Sequence, residues 1–157
     1  MSLKNKQIIS HSVKDTLAIG KKLSAKLKRG DVVCLFGQLG SGKTVLTKGI
    51  ALGLGIEKNK IISPTFVLIR RHQEGRLPLY HFDLYRLGAT KDIMVLGYEE
   101  YIYGDGVSVV EWADRLKYLL PKEYLGIELA IRDNRERSIK FSACGARYKE
   151  LLARVLR

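Results

Sequence analysis

The chain has 157 residues, 46% hydrophobic and 28% charged, and this composition predicts one globular domain over 1–157. No run of about 18 apolar residues occurs and the first residues carry no apolar secretion signal, so we expect a cytoplasmic protein without membrane association.

The 28 Lys and Arg residues exceed the 16 Asp and Glu residues, and the net charge of +12 favours contact with polyanions such as RNA. A solvated basic surface explains the same charge equally well, because the basic residues are spread along the chain.

The cysteines and histidines do not follow a metal or redox pattern. Cys34 and Cys144 lie far apart and outside any CxxC pair, so we expect both to be buried structural residues. His11, His72 and His81 are likewise not spaced as metal ligands. These residue types therefore predict no zinc-type centre.

The first third of the chain predicts helix, strand, loop and helix in that order. Residues 12–15 resemble a capping box and begin a helix that Gly30 ends. Residues 31–36 predict a buried strand, and residues 44–54 predict an apolar, periodic helix. Between them lies a glycine-bearing loop, GQLGSGKT, at residues 37–44.

This loop fits the phosphate-binding pattern G-x-x-x-x-G-K-[ST] in its required setting between a strand and a helix. Glycines let backbone N–H groups converge on an anion at a helix N-terminus. The Lys43 ammonium can contact the β- and γ-phosphates, and the Thr44 hydroxyl is a hard oxygen ligand for Mg²⁺. The loop therefore predicts binding of a nucleoside triphosphate and Mg²⁺ by Leu39, Gly40, Ser41, Gly42, Lys43 and Thr44.

The remaining elements predict an α/β fold. Residues 66–70 and 77–83 flank a turn at 72–76 and predict an antiparallel pair, with Pro78 at a strand start or a sheet edge. The later elements are a helical stretch at 90–102, an apolar strand at 107–111, a hairpin of 125–132 with 138–144, and a helix at 146–156. We therefore predict a three-layer P-loop NTPase fold, whose central sheet is mostly parallel with antiparallel additions.

Two carboxylates end predicted strands and are the candidates for catalysis beside Lys43. A phosphate loop needs a carboxylate at the end of a neighbouring apolar strand to fix Mg²⁺, and a group that orients water. Glu111 ends the better apolar strand, so we assign it to the metal with Thr44, and Asp83 to the γ-phosphate side; the two roles could be exchanged. Thr65 follows a proline and is a candidate switch residue that senses the γ-phosphate, although a turn-capping threonine explains the same pattern.

Four segments together resemble the TsaE (YjeE) family of small bacterial P-loop ATPases. They are GQLGSGKT at 37–44, SPTF at 63–66, YHFDLYR at 80–86 and VEW at 110–112, and their order and spacing match the family. The second and third segments are far more specific than the phosphate loop. The similarity runs over nearly the whole chain, which is identified on these residues as a member of the family.

The resemblance implies Mg²⁺-dependent hydrolysis of ATP in the synthesis of threonylcarbamoyladenosine on tRNA, next to the anticodon. In that family the ATPase docks on the TsaD–TsaB heterodimer, TsaD carries out the transfer, and contact with tRNA is indirect. The resemblance also implies a switch or partner-coupled role for Trp112 and nucleotide contacts for Arg135 and Arg137. A packed aromatic residue and an exposed basic hairpin are alternative interpretations of these three residues. The chain departs from the family at Gln38 and at 91–93, where acidic residues are usual; the second departure bears on partner affinity.

Two other functions are compatible with the sequence. A small P-loop kinase that phosphorylates a nucleoside or metabolite would use the same loop, although the chain is short for a kinase with a lid and an acceptor domain. An RNA-binding module with a structural nucleotide would explain the charge of +12, and its affinity for RNA would fall steeply with salt. We expect only weak, non-specific RNA binding by the isolated chain.

Overall fold

The computed structural model describes residues 4–62 and 68–155, and within them a seven-stranded sheet forms the centre of the fold. The strands are β1 (Lys4–Ser10), β2 (Val32–Phe36), β3 (Ile69–His72), β4 (Leu79–Asp83), β5 (Val107–Glu111), β6 (Tyr124–Ile131) and β7 (Arg137–Cys144). The α-helices are α1 (Val13–Ser24), α2 (Lys43–Gly53), α3 (Thr90–Val95), α4 (Glu99–Ile102) and α5 (Ala146–Val155), and 3-10 helices lie at Lys58–Lys60 and Ala113–Leu119.

The sheet is parallel in its centre and antiparallel at both sides. Its strand order is β1-β7-β6-β2-β5-β4-β3. Strands β6, β2, β5 and β4 are parallel neighbours, whereas β7 and β1 on one side and β3 on the other pair in antiparallel fashion. The predicted mixed α/β sheet and both predicted strand pairs are therefore confirmed.

The strand register brings the two candidate carboxylates to one edge of the sheet. Asp83 at the end of β4 is paired with Glu111 at the end of β5, and Glu111 is also paired with Leu35 of β2. The loop at 37–44 follows β2 at this same edge. In parallel sheets, ligands bind beyond the carboxyl ends of the strands, so the register places both acids at the expected ligand edge.

Both faces of β2 are covered by helices. Val33 and Leu35 belong to a hydrophobic cluster with α1, α2 and α5, whereas Val32 and Cys34 belong to a second cluster with α3, α4 and the 3-10 helix Ala113–Leu119. Successive side chains of a strand point to opposite faces. The two clusters therefore lie on opposite sides of β2.

Helices α1 and α2 approach each other closely through two glycines. A Cβ added at Gly20 would lie 2.6 Å from the carbonyl oxygen of Leu46, and one added at Gly49 would lie 3.0 Å from the carbonyl carbon of Leu17. Both neighbours are backbone atoms, which cannot rotate away as a side chain can. Glycine at these positions therefore allows α1 to hold α2, whose first residue is Lys43, firmly in place.

The beginning of the chain differs from the prediction at two points. Strand β1 was not predicted, because its sequence KNKQIIS is mostly polar; it lies at the sheet edge and is held by antiparallel pairing with β7. Helix α1 ends at Ser24 rather than at Gly30. The guanidinium group of Arg76 donates to the Ser24 carbonyl at 2.9 Å and so satisfies one of the carbonyls that a helix end leaves unpaired.

Two smaller differences concern the middle of the chain. Residues 66 and 67 of the predicted strand lie outside the described residues, and β3 runs from Ile69 through His72, into the predicted turn. The helical stretch predicted over 90–102 is divided into α3 and α4, because Gly97 between them has a left-handed φ of 69°. Pro78 directly precedes β4, as predicted.

The cysteines are free thiols of unequal burial. Cys34 is fully buried, and burial raises the pKa of its thiol well above the usual value. Cys144 is only half-buried, contrary to expectation, and its thiol donates to the Lys122 carbonyl at 3.4 Å. Among the described helices, none is long and apolar enough to cross a bilayer.

Candidate functional site

The loop between β2 and α2 has the backbone that phosphate binding requires. Gly37, Gly40 and Gly42 have positive φ angles of 144°, 80° and 104°, a conformation in which a side chain is strained. Helix α2 begins immediately after Gly42, so the unpaired N–H groups of its first turn face the loop. The predicted strand–loop–helix arrangement is therefore confirmed.

The Lys43 side chain is folded into the loop. Its ammonium donates to the carbonyl oxygens of Gly37 at 2.5 Å and Gln38 at 2.9 Å, and to the Ser41 hydroxyl at 3.3 Å. Only 5% of Lys43 is exposed. The loop thus holds a buried cation in its concave side.

The surroundings of Lys43 have opposing effects on the pKa of its ammonium group. Burial lowers the pKa of the Lys43 ammonium below its ordinary value, and the nearby carboxylates of Glu111, Asp83 and Asp114 partly oppose this effect. The ring of Trp112 lies under the ammonium, with its centroid 4.1 Å from Nζ, and contributes a cation–π contact. An anion at the loop would stabilise the charged form further.

Glu111 is buried at the end of β5 and is held from two sides. Its Oε1 accepts a hydrogen bond of 2.8 Å from the Thr44 hydroxyl. Its Oε2 contacts Nε2 of His81, a fully buried residue of β4. Because only 2% of Glu111 is exposed, it is not an ordinary strand-end acid in solvent.

Thr44 and Glu111 are suited to Mg²⁺. A hydroxyl and a carboxylate are hard oxygen donors, and Mg²⁺ in nucleotide sites takes one or two carboxylates together with phosphate oxygens and water. In the described part of the chain, no group of three or more His, Cys, Asp and Glu side chains is arranged to hold a metal. Thr44 and Glu111 therefore offer two hard oxygen donors of the kind that Mg²⁺ takes in a nucleotide site.

Asp83 lies beside Glu111 but in a more open position. It is half-buried, and its Oδ1 accepts a hydrogen bond of 3.1 Å from the Tyr85 backbone N–H. Its own backbone N–H donates to the Leu68 carbonyl at 3.0 Å. These bonds hold Asp83 at the mouth of the site, where a water molecule can reach it.

Trp112 lines the site and also packs against the second hydrophobic cluster. It has a left-handed φ of 59°, which is rare for a bulky residue, and it begins the 3-10 helix Ala113–Leu119. Its ring is 4.9 Å from the ring of Tyr85 and 5.7 Å from the guanidinium carbon of Arg115. The half-buried ring thus contacts the Lys43 ammonium as well as the second cluster.

These side chains surround one cavity of about 370 Å³. Its lining is Leu39, Gly40, Gly42, Lys43, Thr44, Val45, Leu68, Asp83, Tyr85, Arg86, Glu111 and Trp112. The structure therefore brings together Lys43, Thr44, Asp83 and Glu111, four residues that the sequence places in three separate segments.

A second cavity, of about 360 Å³, adjoins the first at Gly40, Gly42 and Val45. Its other walls are the start of α1 and the turn between β6 and β7, with Ser12, Val13, Thr16, Asn134, Arg135 and Arg137. The two cavities together form a groove along both sides of the loop.

Arg135 and Arg137 both border the second cavity but differ in their contacts. Arg137 donates to the Gly40 carbonyl at 3.3 Å and to the Asp133 carbonyl at 3.0 Å, so it connects the hairpin with the loop. Arg135 is exposed, and its backbone N–H donates to the Asp133 carboxylate at 3.1 Å. Arg137 is thus the more firmly placed of the two.

One predicted site residue is not described by the structure, and three residues in or beside the site were not predicted. Thr65 lies outside the described residues. His81 was not predicted as a site residue, although it precedes Asp83 by two positions and therefore shares its face of β4. Tyr85 and Arg86, from the same segment, line the first cavity and were also missed.

Comparison with known proteins finds one family over most of the chain. The family model described as threonylcarbamoyl adenosine biosynthesis protein TsaE matches residues 10–139. The tRNA threonylcarbamoyladenosine biosynthesis protein TsaE of Bacillus subtilis is 46% identical over 137 residues, 87% of this chain and 85% of that protein. The protein of the same name from Treponema pallidum is 43% identical over 131 residues, 83% of this chain and 96% of that protein.

A solved structure shows the same fold. The crystal structure of Bacillus subtilis YdiB superposes with a TM-score of 0.85 and 39% sequence identity, over 99% of this chain and 96% of that chain. The similarity therefore extends over nearly the whole chain. The chain belongs to the TsaE family of threonylcarbamoyladenosine biosynthesis proteins.

Proposed function

We propose that this protein is a Mg²⁺-dependent ATPase that acts on the TsaD–TsaB complex in the synthesis of threonylcarbamoyladenosine on tRNA. The observation that carries the proposal is the convergence of Lys43, Thr44, Asp83 and Glu111 on one cavity at the carboxyl edge of the sheet. Family membership supports the biosynthetic role. The proposal includes the three-layer P-loop NTPase fold, which is supported by the hydrophobic clusters on both sides of β2.

The two adjoining cavities suit the two ends of ATP. The triphosphate would lie against the backbone N–H groups of the loop, where Lys43 would exchange its contacts with Gly37 and Gln38 for phosphate oxygens. The adenosine would lie in the second cavity, between the start of α1 and the β6–β7 turn. Arg137, which already contacts the loop at Gly40, would border both parts of the nucleotide.

Thr44 and Glu111 would hold the metal. Bound Mg²⁺ would neutralise charge on the phosphates during transfer. Thr44 offers its hydroxyl oxygen, and Glu111 offers a carboxylate that its buried position keeps within reach of Thr44.

Asp83 would orient the attacking water. It is the more open of the two carboxylates, and it lines the same cavity as Lys43 and Thr44. The cavity wall is exposed at Leu39, 70% of which is accessible, so the isolated protein excludes water poorly. We therefore expect slow turnover by the isolated chain and faster turnover once a partner covers this side.

Phosphate release from ATP tests the ATPase part of the proposal. The assay compares the wild type with Lys43→Ala, with and without Mg²⁺ and with and without purified TsaD and TsaB. We expect Mg²⁺-dependent release that rises with the partners and falls to background in Lys43→Ala. Absence of release from every wild-type mixture would overturn the ATPase assignment.

Co-isolation from a bacterial lysate tests the partner. Tagged protein is incubated with lysate in the presence and absence of Mg²⁺–ATP, and bound proteins are identified by mass spectrometry. We expect TsaD and TsaB to be recovered together; their absence under both conditions would overturn this part of the proposal. Transfer of labelled phosphate from ATP to a nucleoside by the purified protein alone would instead favour a kinase.

A further inference from the structure

The buried pair of His81 and Glu111 has a geometry that the proposed ATPase mechanism does not by itself explain. Every polar atom of the Glu111 side chain is held by a donor: Oε1 by the Thr44 hydroxyl and Oε2 by Nε2 of His81. The two donors come from opposite sides, Thr44 from the start of α2 and His81 from β4. The Glu111 carboxylate is therefore fixed in one orientation.

His81 itself is behind the wall of the site. It is fully buried, and the described residues that line the first cavity do not include it. Its register partner on β5 is Val109, two positions before Glu111, so the imidazole reaches Glu111 diagonally along the same face of the sheet. His81 therefore cannot touch a nucleotide in the cavity and can act only through Glu111.

The hydrogen bonds determine which ring nitrogen of His81 carries the hydrogen. An ionised carboxylate only accepts, so Nε2 must donate to Glu111. Nδ1 of His81 is buried and has no hydrogen-bond partner among the described residues. With its hydrogen on Nε2 the ring leaves at Nδ1 only an unpaired acceptor, whereas a hydrogen on Nδ1 would be a buried donor without a partner among those residues.

We propose that His81 is a positioning residue, whose Nε2–H keeps the Glu111 carboxylate turned toward Thr44 and therefore ready for Mg²⁺. This inference rests on the proposed ATPase function. Without the His81 donor, Oε2 of a carboxylate that is 2% exposed would lose its partner, and the carboxylate would turn away from its present orientation. This change would weaken the metal site without altering a residue that lines it.

Two substitutions of similar polarity distinguish a role of His81 in positioning Glu111 from a role in filling space. In His81→Gln the amide nitrogen occupies the place of Nε2, whereas in His81→Asn it ends near Nδ1, which has no partner among the described residues. We expect His81→Gln to keep the wild-type Mg²⁺ requirement within about 3-fold and His81→Asn to raise it by about 10-fold to 100-fold, the range found for residues that orient metal ligands.

The Mg²⁺ requirement can be measured as binding, without ATP hydrolysis. Trp112 is the only tryptophan of the sequence and directly follows Glu111, so its fluorescence can follow a titration of Mg²⁺ into protein with a non-hydrolysable ATP analogue. The affinity for the analogue in EDTA should be the same in all three proteins. If His81→Asn matches the wild type, or if both folded variants lose Mg²⁺ binding equally, the proposal is wrong.

The tautomer of the His81 ring gives a second test of the inference. This test remains valid even if a His81 variant does not fold or the wild-type protein does not hydrolyse ATP. Long-range ¹H–¹⁵N spectra of the wild-type protein resolve its three histidines. We expect the His81 ring to carry its hydrogen on Nε2, and we expect Glu111→Ala to change its ring shifts. A hydrogen on Nδ1 alone would overturn the inference, whereas absence of ATP hydrolysis with the expected tautomer would count against the ATPase proposal.

Discussion

The Thr44 hydroxyl donates a hydrogen bond of 2.8 Å to Oε1 of Glu111 across 67 positions of sequence. This bond joins the helix that follows the phosphate loop to the end of a neighbouring parallel strand. It brings the two oxygen donors proposed for Mg²⁺ into direct contact, at the strand ends where a ligand of a parallel sheet is expected.

Removal of the Thr44 hydroxyl should impair turnover much more than folding. Thr44→Val keeps the shape of the side chain but leaves Oε1 of Glu111 without this donor and Mg²⁺ without this ligand, and we expect turnover to fall by about 100-fold. Thr44→Ser keeps the hydroxyl and is the matched control, with turnover within about 3-fold of the wild type. Steady-state hydrolysis at saturating Mg²⁺–ATP measures both; equal rates in the two variants would contradict the role of the hydroxyl.

Substitution of Glu111 and substitution of Asp83 should impair ATP hydrolysis in different ways. Glu111→Gln removes the charge beside Thr44, so we expect a higher Mg²⁺ requirement and turnover lower by about 100-fold. Asp83→Asn should lower turnover by a similar factor at saturating Mg²⁺, with nearly unchanged Mg²⁺ requirement, because Asp83 is assigned to the water. Hydrolysis measured against Mg²⁺ concentration distinguishes them; an exchange of the two patterns would exchange the assignments, and wild-type hydrolysis in both would refute them.

Arg137 should matter more for nucleotide binding than Arg135. Arg137→Ala removes the contact with the Gly40 carbonyl and one wall of the second cavity, and we expect ATP to bind about 10-fold more weakly, or about 1.4 kcal/mol. Arg135→Ala removes a side chain that is exposed, and it serves as a charge-matched control with a change below about 3-fold. Calorimetric titration with ATP in Mg²⁺ buffer measures both affinities, and equal losses would mean that only net charge matters.

The close approach of α1 and α2 should make Gly49 intolerant of a methyl group. Gly49→Ala would press a Cβ against the Leu17 backbone, and we expect the free energy of unfolding to fall by about 2 kcal/mol despite the higher helix propensity of alanine. Gly88→Ala is the control, because its nearest neighbour would be Oδ2 of Asp92 at 3.7 Å, and it should change stability by less than about 0.5 kcal/mol. Urea unfolding monitored by circular dichroism measures both free energies.

The pH dependence of ATP binding should follow from the buried position of Lys43. Burial lowers the pKa of its ammonium in the free protein, so the charged form that attracts phosphate is lost at a lower pH than in an ordinary lysine. Bound phosphate raises this pKa again, and binding at alkaline pH must therefore take up protons. Calorimetry at about pH 9, where the terminal phosphate is fully ionised, in buffers of different ionisation enthalpy should detect the uptake; it should vanish in Lys43→Arg.

Local sequence patterns predicted the parts of the site that are formed within one short segment. The glycine-bearing loop at 37–44, its flanking strand and helix, and the buried strand that ends at Glu111 all depend on residues close in sequence, and each has the predicted conformation. The pairing of Asp83 with Glu111 required only that the two strands be parallel neighbours. These features could be read from the sequence because hydrophobic runs and glycine positions specify them.

Features that depend on distant partners could not be predicted in this way. Strand β1 is polar and becomes a strand only because β7 offers it a hydrogen-bonding edge. The contact of His81 with Glu111 needs the register of two strands as well as their existence. The left-handed conformation of Trp112 likewise has no local sequence signal, since a bulky residue does not favour positive φ.

The pairing of β1 with β7 also changes the outer border of the sheet. Without β1, the amides and carbonyls of β7 would form an open edge that can pair with other chains, whereas β1, which forms the border here, is mostly polar and carries lysines that discourage such pairing. The last residues before α1 also tie this border to the hairpin, because Nδ1 of His11 contacts the Glu136 carboxylate at 2.7 Å. A truncated version that starts at α1 would therefore be prone to aggregation and would lose a support of the hairpin that carries Arg137, even though every residue of the phosphate loop remained.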